Sequence, residues 1–217
     1  MCYNTAMKDL TYNKFINERK KFLEENSKKD HVILFGENNI LISAPHGVSQ
    51  VRLGKYKVHE IGSLSTALYL QNQTGCFLIA KTRNNNDDAN FDEKSEYKNS
   101  IRKLIKNQNI KYIIDFHGLA AHRDCDVNLG ISLGENIKNN VELFERLNLL
   151  LENNGFKVSI DQPFMGGGKT ISGTFAKEFK NVWTIQIEIN CAITNKKENF
   201  EKNRKLLEIF ETWIKTI

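Results

Sequence analysis

The 217-residue chain carries 31 Lys and Arg against 26 Asp and Glu, a formal net charge of +5, and is long enough to bury a core without disulfide or metal staples. No run is long and apolar enough to cross a bilayer. The first ten residues lack the apolar centre of a secretory signal, and two prolines with no low-complexity tract argue against disorder.

The lysines are mixed with acids, as in Lys28-Lys29-Asp30 and Lys196-Lys197-Glu198. The pI near 8.9 therefore reads as solvated surface and not as a nucleic-acid site, which needs clustered positive charge. Cys2, Cys76, Cys125 and Cys191 are scattered and form no Cys-x-x-Cys pair, as expected for a reduced cytoplasmic protein. With no linker and no internal repeat, the expectation is a single domain over residues 1–217.

In chain order, residues 12–25 place Phe15, Ile16, Phe22 and Leu23 on one helical face. The apolar runs His31–Phe35 and Ile40–Ala44 flank Gly36-Glu37-Asn38-Asn39 and read as a β-hairpin. Ile61, Leu64 and Leu68 repeat at helical spacing up to a stop at Gly75. A strand over 77–81, a polar loop over 83–92 and a helix marked by Tyr97, Ile101, Leu104 and Ile105 follow. The continuous apolar run 111–116 is typical of a strand buried on both faces, with a loop over 118–124 behind it. Strands over 127–132, 156–160 and 182–189 surround a helix marked by Val141, Phe144, Leu147 and Leu151 and a Gly-rich loop over 163–173. The last helix carries Phe200, Leu207, Phe210, Trp213 and Ile214. Strands alternating with helices predict a three-layer α/β/α fold around a central mixed, mainly parallel sheet.

Ligands bind such folds outside the strand ends, and here two strands run into His-Gly: Pro45-His46-Gly47 and Asp115-Phe116-His117-Gly118. Glycine permits a tight turn that leaves the imidazole open on the loop side. Two histidines and a carboxylate suffice for a catalytic zinc site with an open position. His46 and His117 supply the imidazoles. Glu60, at the head of the next helix, is favoured as the third ligand over its neighbour His59, because catalytic zinc takes mixed His/carboxylate shells. The same ligands also accept iron, manganese or cobalt.

Gln186, Glu188 and Asn190 share one face of a strand. Glu188, a carboxylate near the end of an apolar strand, needs a partner or a task and suits a general base. Asp115, beside His117, suits a supporting role. Arg83 and Arg123 are candidate forks for a substrate carboxylate.

Two motifs mislead. Gly168-Lys169-Thr170 ends like a phosphate-binding loop, but Pro163 stands where the first glycine is required. Gly130-Ile131-Ser132-Leu133-Gly134 matches the nucleophile elbow of the α/β-hydrolases, but every histidine precedes Ser132, the wrong chain order for that fold. A nucleophilic Cys125 or Cys191 is disfavoured, because buried cysteine is usually packing.

The ordered set Ser43-Ala44-Pro45-His46-Gly47, Glu60, Arg83 with Asp88-Ala89-Asn90, Asp115-Phe116-His117-Gly118, Pro163-Phe164-Met165-Gly166-Gly167 with Thr170, and Gln186-Ile187-Glu188-Ile189-Asn190 resembles the N-formylglutamate amidohydrolase family over residues 40–191. The resemblance implies a zinc-carboxypeptidase-like fold. It implies metal ligands His46, Glu60 and His117, Glu188 as base and then proton donor, and Arg83 on the carbonyl or a substrate carboxylate. Asn90, Arg123 and Thr170 would line the pocket. The family usually has Asp where Glu60 stands and Arg where Phe91 stands, so metal-dependent hydrolysis carries over better than the formylglutamate substrate. The expected function is a zinc amide hydrolase acting on a small anionic N-acyl amino acid. The alternatives are a carboxypeptidase or deacylase on a larger or cell-wall peptide, and a non-catalytic anion binder.

Overall fold

A computed structural model describes residues 10–217. Its elements are α1 (Tyr12–Asn26), β1 (His31–Leu34), β2 (Ile40–Ala44), β3 (Gln50–Arg52), β4 (Lys55–Lys57), α2 (Ile61–Thr74), β5 (Phe77–Lys81), α3 (Glu96–Gln108), β6 (Tyr112–Leu119), β7 (Val127–Gly130), α4 (Val141–Asn153), β8 (Val158–Ile160), α5 (Ile171–Glu178), β9 (Trp183–Asn190), α6 (Cys191–Thr194) and α7 (Phe200–Ile214). The main sheet has seven strands in the order β1-β5-β2-β6-β9-β7-β8. Strands β5, β2, β6 and β9 are parallel, and antiparallel pairs join β1 to β5 and β7 to β9. Helices cover both faces, giving the three-layer α/β/α architecture expected from the strand–helix alternation.

Strand alternation sorts the core into two layers. Ile42, Leu78, Ile114, Phe116, Ile185 and Ile187 pack with residues of α2, α4 and α7. Leu41, Phe77, Ile79 and Ile113 pack with Tyr97 and Ile101 of α3 and with Ile171 and Phe175 of α5. The second face changes character along the strands: Ile113 gives way to Asp115 and His117 on β6, and Thr184 to Gln186 and Glu188 on β9. The register pairs Asp115 with Gln186 and His117 with Glu188, so these four side chains stand side by side at the carboxyl ends of the parallel strands.

The expected β1–β2 hairpin does not form. Strand β5 lies between the two, antiparallel to β1 and parallel to β2. Instead of turning tightly, the connecting chain crosses the start of β5: Glu37 N donates to Gly75 O at 2.8 Å, and a Cβ on Gly36 would lie 2.4 Å from the Cys76 and Phe77 backbone. Only glycine permits that crossing. Strand β6 runs three residues beyond Phe116, because pairing with β9 continues to Leu119↔Asn190. Strand β7 stops at Gly130 where a strand to Ser132 was expected. The Asp161 carboxylate accepts the backbone N–H groups of Ile131, Ser132 and Leu133, and Ser132 and Leu133 take φ of 53° and 55°. The short β3–β4 hairpin was not anticipated.

Cys76, Cys125 and Cys191 are free thiols, and Cys2 lies outside the described residues. No helix among the described residues is long and apolar enough to cross a membrane.

Candidate metal centre

Three segments deliver the cluster. After β2, the turn carrying His46 is pinned by buried Arg19 of α1, whose guanidinium donates to Gly47 O at 2.8 Å. Glu60 is the N-terminal residue flanking α2, and its N–H donates to His46 O at 2.9 Å. Its carboxylate does not cap its own helix. It turns instead toward the sheet, where Gly118 N donates to Oε2 at 2.8 Å. A Cβ on Gly118 would lie 3.1 Å from the Glu60 Cβ, so the glycine after His117 makes room for the carboxylate. His59, the rival ligand, stays outside the cluster.

The ligand atoms converge. His46 Nδ1 is 2.8 Å from Glu60 Oε1, His117 Nδ1 is 3.1 Å from His46 Nδ1, and His117 Nδ1 is 3.5 Å from Glu60 Oε2. Bonds of about 2.0–2.1 Å to a tetrahedral ion put neighbouring ligand atoms roughly 3.3 Å apart, so the spacing fits a divalent ion. Each imidazole is backed through its other nitrogen: His46 Nε2 meets Asp88 Oδ1 at 3.0 Å, and His117 Nε2 meets Asp115 Oδ2 at 3.0 Å. An Nε2–H donated to each aspartate leaves both Nδ1 lone pairs facing one another and the Glu60 carboxylate, an arrangement that calls for a cation.

The electrostatics agree. Four carboxylates, Glu60, Asp88, Asp115 and Glu188, surround the two imidazoles with one guanidinium, Arg52, in reach. Burial opposes protonation of His46 and His117. The charge of Glu60, with bonds to Asp88 and Glu60, outweighs it at His46, and Asp115 and Glu60 outweigh it at His117, so both pKa values rise. Glu60 and Asp88 are held below the ordinary carboxylate range: burial works against this, and the imidazoles, with Arg52 at Asp88, overcome it. Glu188 moves the other way. Its burial dominates and pushes it up to about 7, while Gln186 Nε2 holds its Oε1 at 2.8 Å.

These groups open onto a cavity of about 340 Å³ whose wall includes His46, Glu60, His117, Glu188, Asn90 and Thr170. Asn90 Oδ1 accepts from Ile171 N at 2.7 Å and Thr170 Oγ1 accepts from Gly173 N at 3.0 Å, so both also fix the start of α5. Arg83 and Arg123 are exposed and do not line this cavity. Arg83 follows β5 on its β1 side, where its N–H donates to Asp30 O, and the loop reaches the cavity only further on, at Asn90 and Phe91. Arg123 lies beyond β6, its carbonyl held by Asn190 Nδ2. The cavity cations are Arg52, Lys57 and Lys169. Sequence reasoning missed Arg52 and Lys57 because nothing in the linear pattern lays the β3–β4 hairpin over the sheet end. Lys169 lay within the Gly-rich loop already singled out.

The chain is a three-layer α/β/α fold with a largely buried His/His/Glu cluster at the carboxyl ends of its strands, geometrically compatible with a divalent metal. No protein-family model matches the chain, and no curated protein matches it. Among solved structures, it is similar to a gene product of Agrobacterium tumefaciens (TM-score 0.64, 10% identity, 91% of this chain and 98% of that one). It is also similar to an N-formylglutamate amidohydrolase from Ralstonia eutropha (TM-score 0.57, 11% identity, 87% and 98%) and to a metallo-carboxypeptidase from Burkholderia cenocepacia (TM-score 0.52, 10% identity, 92% and 69%). At these identities the likeness is one of fold.

Proposed function

We propose that the chain is a cytoplasmic zinc-dependent hydrolase that cleaves the amide bond of small N-acyl amino acids. The observation that carries this reading is the convergence of two aspartate-backed imidazoles and Glu60 beside a carboxylate, Glu188, that ligates nothing in the cluster. A divalent ion held by His46, Glu60 and His117 would supply Lewis acidity, acidifying water and polarising a carbonyl. Glu188, poised near neutrality, takes the proton of the water whose oxygen adds to the carbonyl carbon. It returns that proton to the nitrogen as the C–N bond breaks, giving a carboxylic acid and a free amine. Gln186 keeps the Glu188 carboxylate aimed.

The test is metal content by mass spectrometry together with turnover of a panel of N-acyl amino acids. The wild type is expected to hold about one zinc per chain and a His46→Ala/His117→Ala variant none. Glu188→Gln should keep its zinc and lose at least about a hundredfold in kcat. A wild type that takes up no zinc on reconstitution, or a Glu188→Gln variant of near-normal activity, would refute the assignment. A second reading, a deacylase or carboxypeptidase on a larger peptide, draws support from the exposed Phe164 in the cavity wall, with Met165 exposed next to it in the chain.

A further inference from the structure

Phe91 lies in the cavity wall with two cations on its ring. The Arg52 guanidinium carbon is 5.0 Å from the ring centroid and Lys169 Nζ is 5.6 Å from it, and all three side chains border the cavity that holds His46, Glu60 and His117. A ring face attracts cations without consuming their N–H groups. Arg52 gives only its Nε to the protein, at 2.7 Å from Asp88 Oδ2. Its two terminal nitrogens have no partner among the described residues. Lys169 meets Glu93 at 3.0 Å, but both are solvated, and such pairs contribute little.

The three side chains come from three segments that are fixed to one another. Val51 N donates to Asp87 O at 3.0 Å, joining the strand of Arg52 to the loop of Phe91. Buried Lys98 donates to Asp92 O and to Lys169 O, at 2.6 Å each, joining that loop to the loop of Lys169. The outcome is a guanidinium fork and an ammonium held at the cavity beside the Glu60 and Glu188 carboxylates.

Resting on the hydrolase reading, we propose that Arg52 and Lys169, seated on Phe91, form a subsite for a carboxylate of the substrate. The group held there is the free carboxylate that an N-acyl amino acid carries close to its scissile bond. A planar fork suits the two oxygens of a carboxylate. A neutral amide would leave the two terminal guanidinium nitrogens of Arg52 without an anionic partner.

The experiment measures binding by calorimetry to the 217-residue chain carrying Glu188→Gln, which suppresses turnover. The probes are N-acetyl-L-alanine and N-acetyl-L-alaninamide, which differ only in carboxylate against carboxamide. Titrations are run with zinc and again with chelator, so that a carboxylate resting on the metal is separated from one resting on the cations. We expect the acid to bind about tenfold more tightly than the amide in both conditions. Arg52→Ala should bring that ratio close to one, Arg52→Lys should restore part of it, and Lys169→Ala should reduce it. Equal binding of both probes, binding of neither, or a preference that survives Arg52→Ala would overturn the proposal. Circular dichroism melts of each variant show whether a lost preference reflects a lost fold, and a folded Arg52→Lys that regains the preference excludes that cause. The hydrolase reading fails separately: a chain that prefers the acid but binds no zinc keeps the subsite and loses the chemistry.

Discussion

Asp115 offers no ligand atom to the cluster, yet its Oδ2 sets which nitrogen of His117 is free to bind a metal. Its place was legible, because residues two apart on a strand share a face. The matching partner of His46, Asp88, was not, because it arrives from a loop 42 residues away. An Asp115→Asn substitution keeps a hydrogen-bond acceptor but removes the charge that orients and enriches the imidazole. Zinc affinity, measured by competition with a chromogenic chelator, should fall by about 10–100-fold. An unchanged affinity would mean that the strand alone holds His117 in place.

Helix α2 acts as a bracket. It presents Glu60 at its first end, and its second residue, Gly62, presses against α6, where a Cβ would lie 2.1 Å from Thr194 Oγ1 and 2.4 Å from its Cβ. The contact is too close for the hydroxyl to swing clear, so Gly62→Ala must push α2 away from α6. Overpacking of this kind costs about 1–3 kcal/mol, and urea unfolding should show it as a lower midpoint with little change in slope. Because Glu60 rides on the displaced helix, zinc affinity should fall as well. A variant as stable as the wild type would show that α6 yields instead. At this scale the linear pattern located α2 and its stop at Gly75, whose φ of 66° suits glycine. It misjudged β1 and β2, since hairpin signals describe neighbours in the chain and β5 takes the place between them only once the sheet assembles.

For the whole molecule, the buried Lys98 ties stability to pH. It is fully buried, and burial pushes its pKa down to about 8 from an ordinary 10.5, against the pull of nearby carboxylates, Asp115 first. Between those two values the unfolded chain holds a proton that the native state has released, so stability rises with pH across that window, and below about 8 the cost of the buried charge is present in full. The difference in unfolding free energy between wild type and Lys98→Met should therefore grow from near pH 8 toward pH 10.5, by up to roughly 3 kcal/mol. A difference that stays flat would mean that the ammonium keeps its proton in the fold.

What the sequence by itself determined is the class of architecture and the candidate positions that sit on strands or their ends. Periodicity of two or 3.6 residues and His-Gly at strand termini are local properties: they place His46 and His117 at strand ends and Glu188 on a strand face, while Glu60 at a helix head was singled out by the ligand chemistry of zinc. What only the tertiary structure decided is which remote segments meet at the strand ends. Asp88 reaches His46 from a loop, Arg52 and Lys169 reach the cavity from the β3–β4 hairpin and a Gly-rich turn, and Arg83 and Arg123 do not. Contacts between loops depend on how the layers pack, and no residue pattern along a loop records which other loop it will face.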